Sequence, residues 1–300
     1  MRPVFFNEPA QLRDGWKSLC FVLACMACFV LVGVVGRSLP PAIKAFAPSA
    51  VLIAGLGLLV SLAAVRLEGT RLAGIGLQFD ARFARQFGLG LLAGGALVAV
   101  CLGLVCGLAG VTLEPIAAPG GPAVVKLVVT VLAGALFEEL LFRGYAFQRA
   151  VRGMGRWPAI ALFSLFFSLA HLPGNLDIGA ATGVAVLAGL VLDCVIQSLI
   201  LLRTGSLALP IGLHGAWNLV QGALGFGVSG TRASSAWFRP EFGSQPGWLT
   251  GGDYGLEASV ASLAVQVVVL AWLLGSARPT SNVTGRDARS LPRRCKAPAG

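Results

Sequence analysis

Two histidines and two adjacent glutamates are the residues of this chain best suited to chemistry. The chain contains only two histidines, His171 and His214, and each lies within an apolar stretch. A third apolar stretch carries Glu138 and Glu139, followed by Arg143. Burying ionisable side chains in hydrocarbon is costly, so inside membrane spans such residues indicate function by default. Their gathering in three stretches favours a reactive site over simple helix packing.

Helical spacing divides the roles of the two glutamates. Residues four apart lie on one face of a helix, so Glu139 and Arg143 are predicted to form an ion pair. Glu138 points about 100° away from Glu139 and is left free. A carboxylate without a partner in a partly dry pocket suits a general base. Glu139 with Arg143, taken alone, also fits a purely structural ion pair.

The histidines follow the same four-residue spacing. Phe167 precedes His171 by four residues, and Asn218 follows His214 by four. Side chains of His214 and Asn218 aimed at one point would suit an oxyanion. Alternatively, His171 and His214 with a glutamate would form a three-ligand zinc site with an open position for water. Each polar residue alone also fits a hydrogen bond between helices, and only their combination favours a site.

The composition indicates an integral membrane protein. The 300 residues are 56% hydrophobic and only 12% charged, whereas soluble domains carry about 25% charge. The net charge of +10 comes from loops between apolar stretches, which fits membrane topology and anionic lipid headgroups and does not indicate nucleic-acid binding. Six of the seven cysteines lie within apolar stretches, as packing residues do.

About 20 apolar residues cross a bilayer as a helix, and eight stretches qualify. The sequence therefore predicts an all-α polytopic fold with its active site inside the helix bundle. The predicted spans are residues 17–36, 49–65, 87–111, 123–148, 157–172, 178–202, 206–226 and 256–275. In the third, Gly90 and Gly94 predict a close helix contact within the chain. In the sixth, Asp193 and Gln197 interrupt the apolar pattern, and we favour an interhelical hydrogen bond over a place in a polar cavity.

The distribution of basic residues predicts the orientation. Most of the 23 Lys and Arg residues fall on the side of the N-terminus if all eight stretches cross, so both termini are predicted to be cytoplasmic. The chain then divides into a cytoplasmic segment (1–16), one membrane-embedded domain (17–276) and a basic, disordered cytoplasmic tail (277–300).

The three motifs together resemble a known family. Glu138-Glu139 with Arg143, Phe167 with His171, and His214 with Asn218 occur in order and at spacings that resemble the CPBP family of intramembrane proteases. That family includes the type II CAAX prenyl endopeptidases and the bacteriocin-immunity proteins. The resemblance extends over about residues 123–224. It implies an all-helical membrane protein that hydrolyses a peptide bond in a membrane-associated substrate, with a prenylated CAAX-type protein as one candidate.

The resemblance also implies a role for each matching residue. Glu138 would activate the attacking water, with Glu139 and Arg143 in support and Phe167 beside His171. His171 would help to hold the water or a metal, and His214 and Asn218 would stabilise the oxyanion. The residues leave two cofactor alternatives open, namely none or a divalent metal such as zinc.

Two functions of other classes compete with hydrolysis. The first is a non-catalytic immunity or regulatory protein that binds a partner with this fold. The second is an ion-coupled transporter, because Glu, Arg and His inside the membrane also mark ion paths. Many transporters contain internal repeats, and the three motifs do not recur in the first half of this chain. The complete motif set favours a peptidase.

Overall fold

The structure is a computed structural model that describes residues 6–7, 11–38, 49–172, 177–232 and 235–276. The described chain is mostly helical, as the sequence predicts. Its helices are α1 Asp14–Ser38, α2 Ser49–Leu67, α3 Ala81–Ala109, α4 Gly121–Phe142, α5 Tyr145–Met154, α6 Arg156–Ala170, α7 Gly179–Thr204, α8 Ala208–Ala223, α9 Gly247–Thr250 and α10 Val260–Gly275. Two short 3-10 helices cover Leu72–Ile75 and Leu256–Ala258. The predicted basic tail (277–300) lies outside the described residues.

Short strands tie the connections between helices together. The antiparallel pairs are β1 Phe6–Asn7 with β2 Gln11–Leu12, β3 Thr112–Pro115 with β6 Phe238–Glu241, and β4 Gly227–Val228 with β5 Thr231–Arg232. In the β3–β6 pair, Thr112 lies opposite Glu241 and Pro115 opposite Phe238. This pair fixes the chain between α8 and α10, residues 224–259, to the chain that precedes α4. We call residues 224–259 the α8–α10 connection.

Four of the described helices, α1, α2, α3 and α7, are long and apolar enough to cross a membrane. Helices α6 and α10 are apolar but shorter. The 15 residues of α6 make a helix of about 22 Å at about 1.5 Å per residue, less than the hydrocarbon thickness of about 30 Å. The described helices support an integral membrane protein, and they do not by themselves establish the predicted eight spans.

The predicted fourth span (123–148) is two helices in the structure. Helix α4 ends at Phe142 and α5 begins at Tyr145. A Cβ atom on Gly144 would lie 2.2 Å from the carbonyl oxygen of Leu140, so only glycine fits this bend. Arg143 is the C-cap residue of α4, and its backbone N–H donates to the backbone oxygen of Glu139 at 3.0 Å. Hydropathy alone did not reveal the bend because both helices are rich in apolar residues.

Helix α8 lies at the centre of the fold, packed against α3, α4 and α7. Its contact with α3 depends on glycine. A Cβ atom on Gly90 would lie 2.4 Å from the oxygen of Leu209, and one on Gly94 would lie 2.3 Å from the oxygen of Leu213. On the α8 side, a Cβ atom on Gly212 would lie 2.3 Å from the oxygen of Phe87. The close contact predicted from the glycine spacing is confirmed, and it positions His214.

Gly94→Ala is expected to displace α8 and damage the site beside Leu213. Overpacking costs about 1–3 kcal/mol, and a misplacement of about 1 Å lowers catalytic rates on the order of 10²-fold. The measurement is the thermal unfolding temperature and specific activity of the purified variant. Gly103→Ala on the same helix is the matched control, because a Cβ there meets nothing within 4 Å. Equal behaviour of the two variants would contradict this packing role.

A polar cluster joins α1, α2 and α5 at one end of the bundle. The ammonium of Lys17 lies 2.8 Å from a carboxylate oxygen of Glu68, and the hydroxyl of Tyr145 donates to that carboxylate at 2.9 Å. Arg149 pairs with Glu68 as well. Burial alone would raise the pKa of Glu68, but the hydrogen bonds from Lys17 and Tyr145 and the charge of Arg149 bring it below its usual value. The cluster anchors the helices that surround α4.

Candidate active site

The structure brings the two histidines and one glutamate together. Glu138 lies near the end of α4, His171 directly follows α6, and His214 lies within α8. One oxygen of Glu138, Oε2, lies 3.4 Å from Nε2 of His171 and 3.6 Å from Nε2 of His214. The predicted convergence of residues from three helices is therefore present. Because α6 is short, His171 at its end reaches the same level as Glu138.

The second nitrogen of each histidine ring is engaged by protein. Nδ1 of His171 donates to the backbone oxygen of Phe167 at 2.8 Å. Nδ1 of His214 donates to Oε1 of Glu139 at 2.9 Å. A carbonyl oxygen and an ionised carboxylate only accept, so both Nδ1 atoms carry their protons. Each Nε2 of a neutral ring then presents a lone pair toward Glu138.

Three acceptor atoms consequently face one small space. They are Oε2 of Glu138 and Nε2 of His171 and of His214. Acceptors repel one another unless a donor or a positive charge lies among them. A water molecule, with two protons to donate, suits such a place, as does a proton on one imidazole or a metal ion. The arrangement can therefore hold and polarise a water molecule beside a carboxylate.

Arg143 supports this arrangement from a fully buried position. Its Nη1 lies 3.1 Å from Oε1 of Glu139, the same oxygen that accepts from His214. The ion pair predicted from the four-residue spacing is thus present. Both Arg143 and Glu139 are 0% exposed, so their charges are screened by each other and not by water. Arg143 thereby fixes the acceptor that orients His214.

Arg143 also contacts the residue that orients His171. Its guanidinium lies 4.9 Å from the centre of the Phe167 ring, in a cation–π contact. The Phe167 ring lies 4.2 Å from the ring of His171, and its backbone oxygen accepts from the same histidine. One buried cation therefore links both histidines, His214 through Glu139 and His171 through Phe167.

The site opens into a cavity of about 330 Å³. Glu138, His171, His214 and Asn218 line it, together with Phe167 and Trp217. Asn218 follows His214 by one helical turn on α8, so both side chains face the same space, as their spacing predicts. Most other lining residues are apolar, as in typical ligand sites: Leu97, Leu190, Ile196, Leu213, Val228, Val265 and Val269.

Asp193 combines the two roles that the sequence offered for it. It lines the cavity, which was the less favoured alternative. Its Oδ2 also lies 3.6 Å from Nη2 of Arg143, so it makes a polar contact between α7 and the end of α4. Gln197, the other polar residue of that stretch, is fully buried, and its side chain makes no hydrogen bond within the described ranges.

The sequence analysis missed residues of the α8–α10 connection. The hydroxyl of Tyr254 donates to the backbone oxygen of His171 at 3.0 Å. Ser229 and Glu257 line the cavity. Glu257 lies at the edge of the predicted eighth span, where an acidic residue beside an apolar stretch was an available signal. No such signal marks Tyr254 or Ser229 in the sequence, because their contacts depend on the conformation of a loop.

The side chains around the site determine whether it could bind the metal ion that was one of the predicted alternatives. Among residues 6–7, 11–38, 49–172, 177–232 and 235–276, no group of three or more His, Cys, Asp or Glu side chains is arranged to hold a metal ion. His171 and His214 do present free Nε2 atoms with Nδ1 engaged, the pattern that orients metal-binding histidines. Among the described residues these two histidines are thus ligand candidates without a complete metal-binding set around them.

A comparison with known families matches the part of the chain that carries these residues. The family described as Type II CAAX prenyl endopeptidase Rce1-like matches residues 120–220. This range contains all three motifs and excludes the end of α8, the whole α8–α10 connection and α10. No curated protein and no solved structure matches the chain. Residues 120–220 are thus similar to a peptidase family, and this similarity supports the CPBP resemblance predicted from the three motifs.

Proposed function

We propose that this protein is an intramembrane endopeptidase that hydrolyses a peptide bond in a membrane-associated substrate. The observation that carries the proposal is the position of Glu138 Oε2 between the Nε2 atoms of His171 and His214 in a mostly apolar cavity. The match of residues 120–220 to a peptidase family supports it. A prenylated CAAX-type protein is the first substrate candidate.

The proposed reaction begins with a water molecule held by Glu138 and His171. Glu138 removes one proton from the water as its oxygen attacks the carbonyl carbon of the scissile bond. The carbonyl oxygen becomes an oxyanion, for which Asn218 and a protonated His214 supply hydrogen-bond donors. Glu138 then transfers the proton to the leaving nitrogen as the C–N bond breaks. The second proton of the water stays on the new carboxyl group and passes to the amine on ionisation, so the products are a carboxylate and an ammonium group.

Membrane topology forms part of the proposal. We infer eight membrane-crossing segments with both termini in the cytoplasm, from the distribution of basic residues and the helices long enough to cross. A divalent metal held by His171 and His214 stays an alternative to water activation by Glu138 alone. If present, it would supply a Lewis acid and a bound water of lowered pKa.

The experiment that tests the function is cleavage of membrane-anchored peptides by purified wild-type protein in lipid vesicles. The panel contains prenylated and acylated peptides, and mass spectrometry identifies the fragments. We expect at least one peptide to be cut at a single internal bond, and we expect a chelator to leave the rate unchanged. Loss of activity in chelator and its recovery with zinc would favour the metal alternative. Binding of a peptide or partner without any cleavage would favour the immunity-type role.

A further inference from the structure

The α8–α10 connection forms one wall of the active-site cavity. Val228, Ser229, Thr231 and Glu257 line it from this side, in the same cavity as Glu138. This wall lies outside residues 120–220, the range that resembles a known family. Its contribution to the site must therefore be read from its own contacts.

Glu257 is a carboxylate without a countercharge. The backbone N–H of Ser229 donates to its Oε1 at 2.7 Å, and the side-chain amide of Gln221 donates to Oε2. In the part of the chain that the structure describes, no ion pair involves Glu257, whereas Glu139 and Asp193 both face Arg143. A carboxylate in this state gains from a nearby cation.

The backbone holds Glu257 in a fixed position. A Cβ atom on Gly255 would lie 2.2 Å from the oxygen of Gly227, and one on Gly227 would lie 2.2 Å from the oxygen of Asp253. The two chain segments therefore touch backbone to backbone. Through Tyr254, the same turn donates a hydrogen bond to the backbone of His171. The position of Glu257 is thus linked to that of the catalytic histidine.

Among the described residues, the permanently charged side chains that line the cavity are all carboxylates, while its two histidines contact Glu138. Glu138, Asp193 and Glu257 line it, while no Lys or Arg does so among the described residues. The guanidinium of Arg143 offsets Glu139 and Asp193 from behind the wall. A cationic substrate group is attracted into such a space, and a carboxylate is repelled.

The size of the cavity limits the distance between Glu257 and the scissile bond. A cavity of about 330 Å³ holds only a few residues of extended chain, at about 3.3 Å per residue. A substrate group that pairs with Glu257 therefore lies within a few residues of the bond at Glu138.

We propose that Glu257 forms a subsite for a positively charged substrate group, a lysine or arginine side chain or a free amino group, close to the scissile bond. This inference rests on the proposed endopeptidase function and narrows its substrate class. The subsite selects substrates and takes no part in proton transfer.

The test is a matched set of acylated peptides that differ only in one residue near the cleaved bond, which is Lys, Gln or Glu. We expect wild-type kcat/KM to be at least about tenfold higher for the Lys peptide than for the Glu peptide, since 1.4 kcal/mol corresponds to tenfold. Glu257→Gln keeps an oxygen that accepts from Ser229 and removes the charge. It is expected to reduce the Lys-to-Glu ratio to near one, and Glu257→Lys is expected to reverse it.

The ratio separates a subsite from a structural role. If Glu257→Gln lowers kcat/KM equally for all three peptides, the residue only stabilises the connection and the proposal is overturned. The proposal also fails if the wild type cleaves the Gln and Lys peptides equally. If the wild type cleaves none of these peptides and none of the prenylated ones, the endopeptidase function itself fails, which is a distinguishable result.

Discussion

Glu138→Gln is expected to lower kcat for peptide cleavage by ~10³-fold or more while substrate binding persists. The amide keeps the size of the carboxylate but cannot accept a proton from water, and general-base catalysis contributes about 10²–10⁴-fold. The two Nε2 atoms that face Glu138 at 3.4 and 3.6 Å would remain in place. The measurement is a single-turnover cleavage rate together with the dissociation constant of a labelled peptide.

Glu114→Gln is the matched control for this change. Glu114 is an exposed carboxylate of β3 that pairs with Arg239 at the surface, and exposed pairs contribute about 0–1 kcal/mol. Its variant is expected to keep the wild-type cleavage rate. A Glu138→Gln protein that cleaves within tenfold of wild type would mean that another group activates the water.

Arg143→Met is expected to destabilise the protein more than the double variant Glu139→Leu/Arg143→Met. The single change leaves the buried Glu139 carboxylate without its cation, which costs about 3–5 kcal/mol. Replacing both partners with apolar residues removes the unpaired charge of Glu139, and such replacements are often neutral for stability. Asp193 loses its ion pair with Arg143 in both variants alike, so it does not affect their difference. Thermal unfolding of the purified variants in one detergent measures the difference.

Activity is expected to separate from stability in this pair of variants. The double variant lacks the carboxylate that accepts from Nδ1 of His214, so the imidazole loses its fixed orientation and tautomer. We expect it to fold and to show no measurable cleavage, as removal of an orienting carboxylate does in other histidine-based sites. A stable double variant with near wild-type cleavage would show that Glu139 and Arg143 serve only packing.

Much of the site could be predicted from the sequence because the residues that indicate it are close together in the chain and follow helical spacing. Four-residue spacings placed Glu139 with Arg143 and His214 with Asn218 on shared helix faces, and the structure has both arrangements. The convergence of Glu138 with both histidines followed from the cost of burying such groups separately. Gly90 and Gly94 likewise indicated the contact that holds α8, since small residues allow helices to approach.

Features that depend on backbone bends, on the packing of helices or on loop conformation could not be predicted from the sequence. The predicted fourth span ran through Gly144, because hydropathy does not show that the backbone bends there in a conformation that leaves no room for a Cβ atom. Asp193 could be placed in the cavity only once the rotation of α7 against α4 was known. Tyr254 reaches His171 across 83 residues of sequence, through a loop whose glycine contacts have no periodic pattern.

Oxygen-isotope labelling in one turnover tests most directly whether Glu138 activates water for attack. Excess wild-type protein would cleave a peptide in ¹⁸O-labelled water with a chelator present, followed by mass spectrometry of the product and of the enzyme fragment containing Glu138. The account predicts cleavage in chelator, one ¹⁸O in the new carboxylate of the product and none in Glu138. Label in the Glu138 fragment would instead indicate a covalent anhydride at this residue, and absence of cleavage in chelator would indicate a metal-bound water; either result would contradict the account.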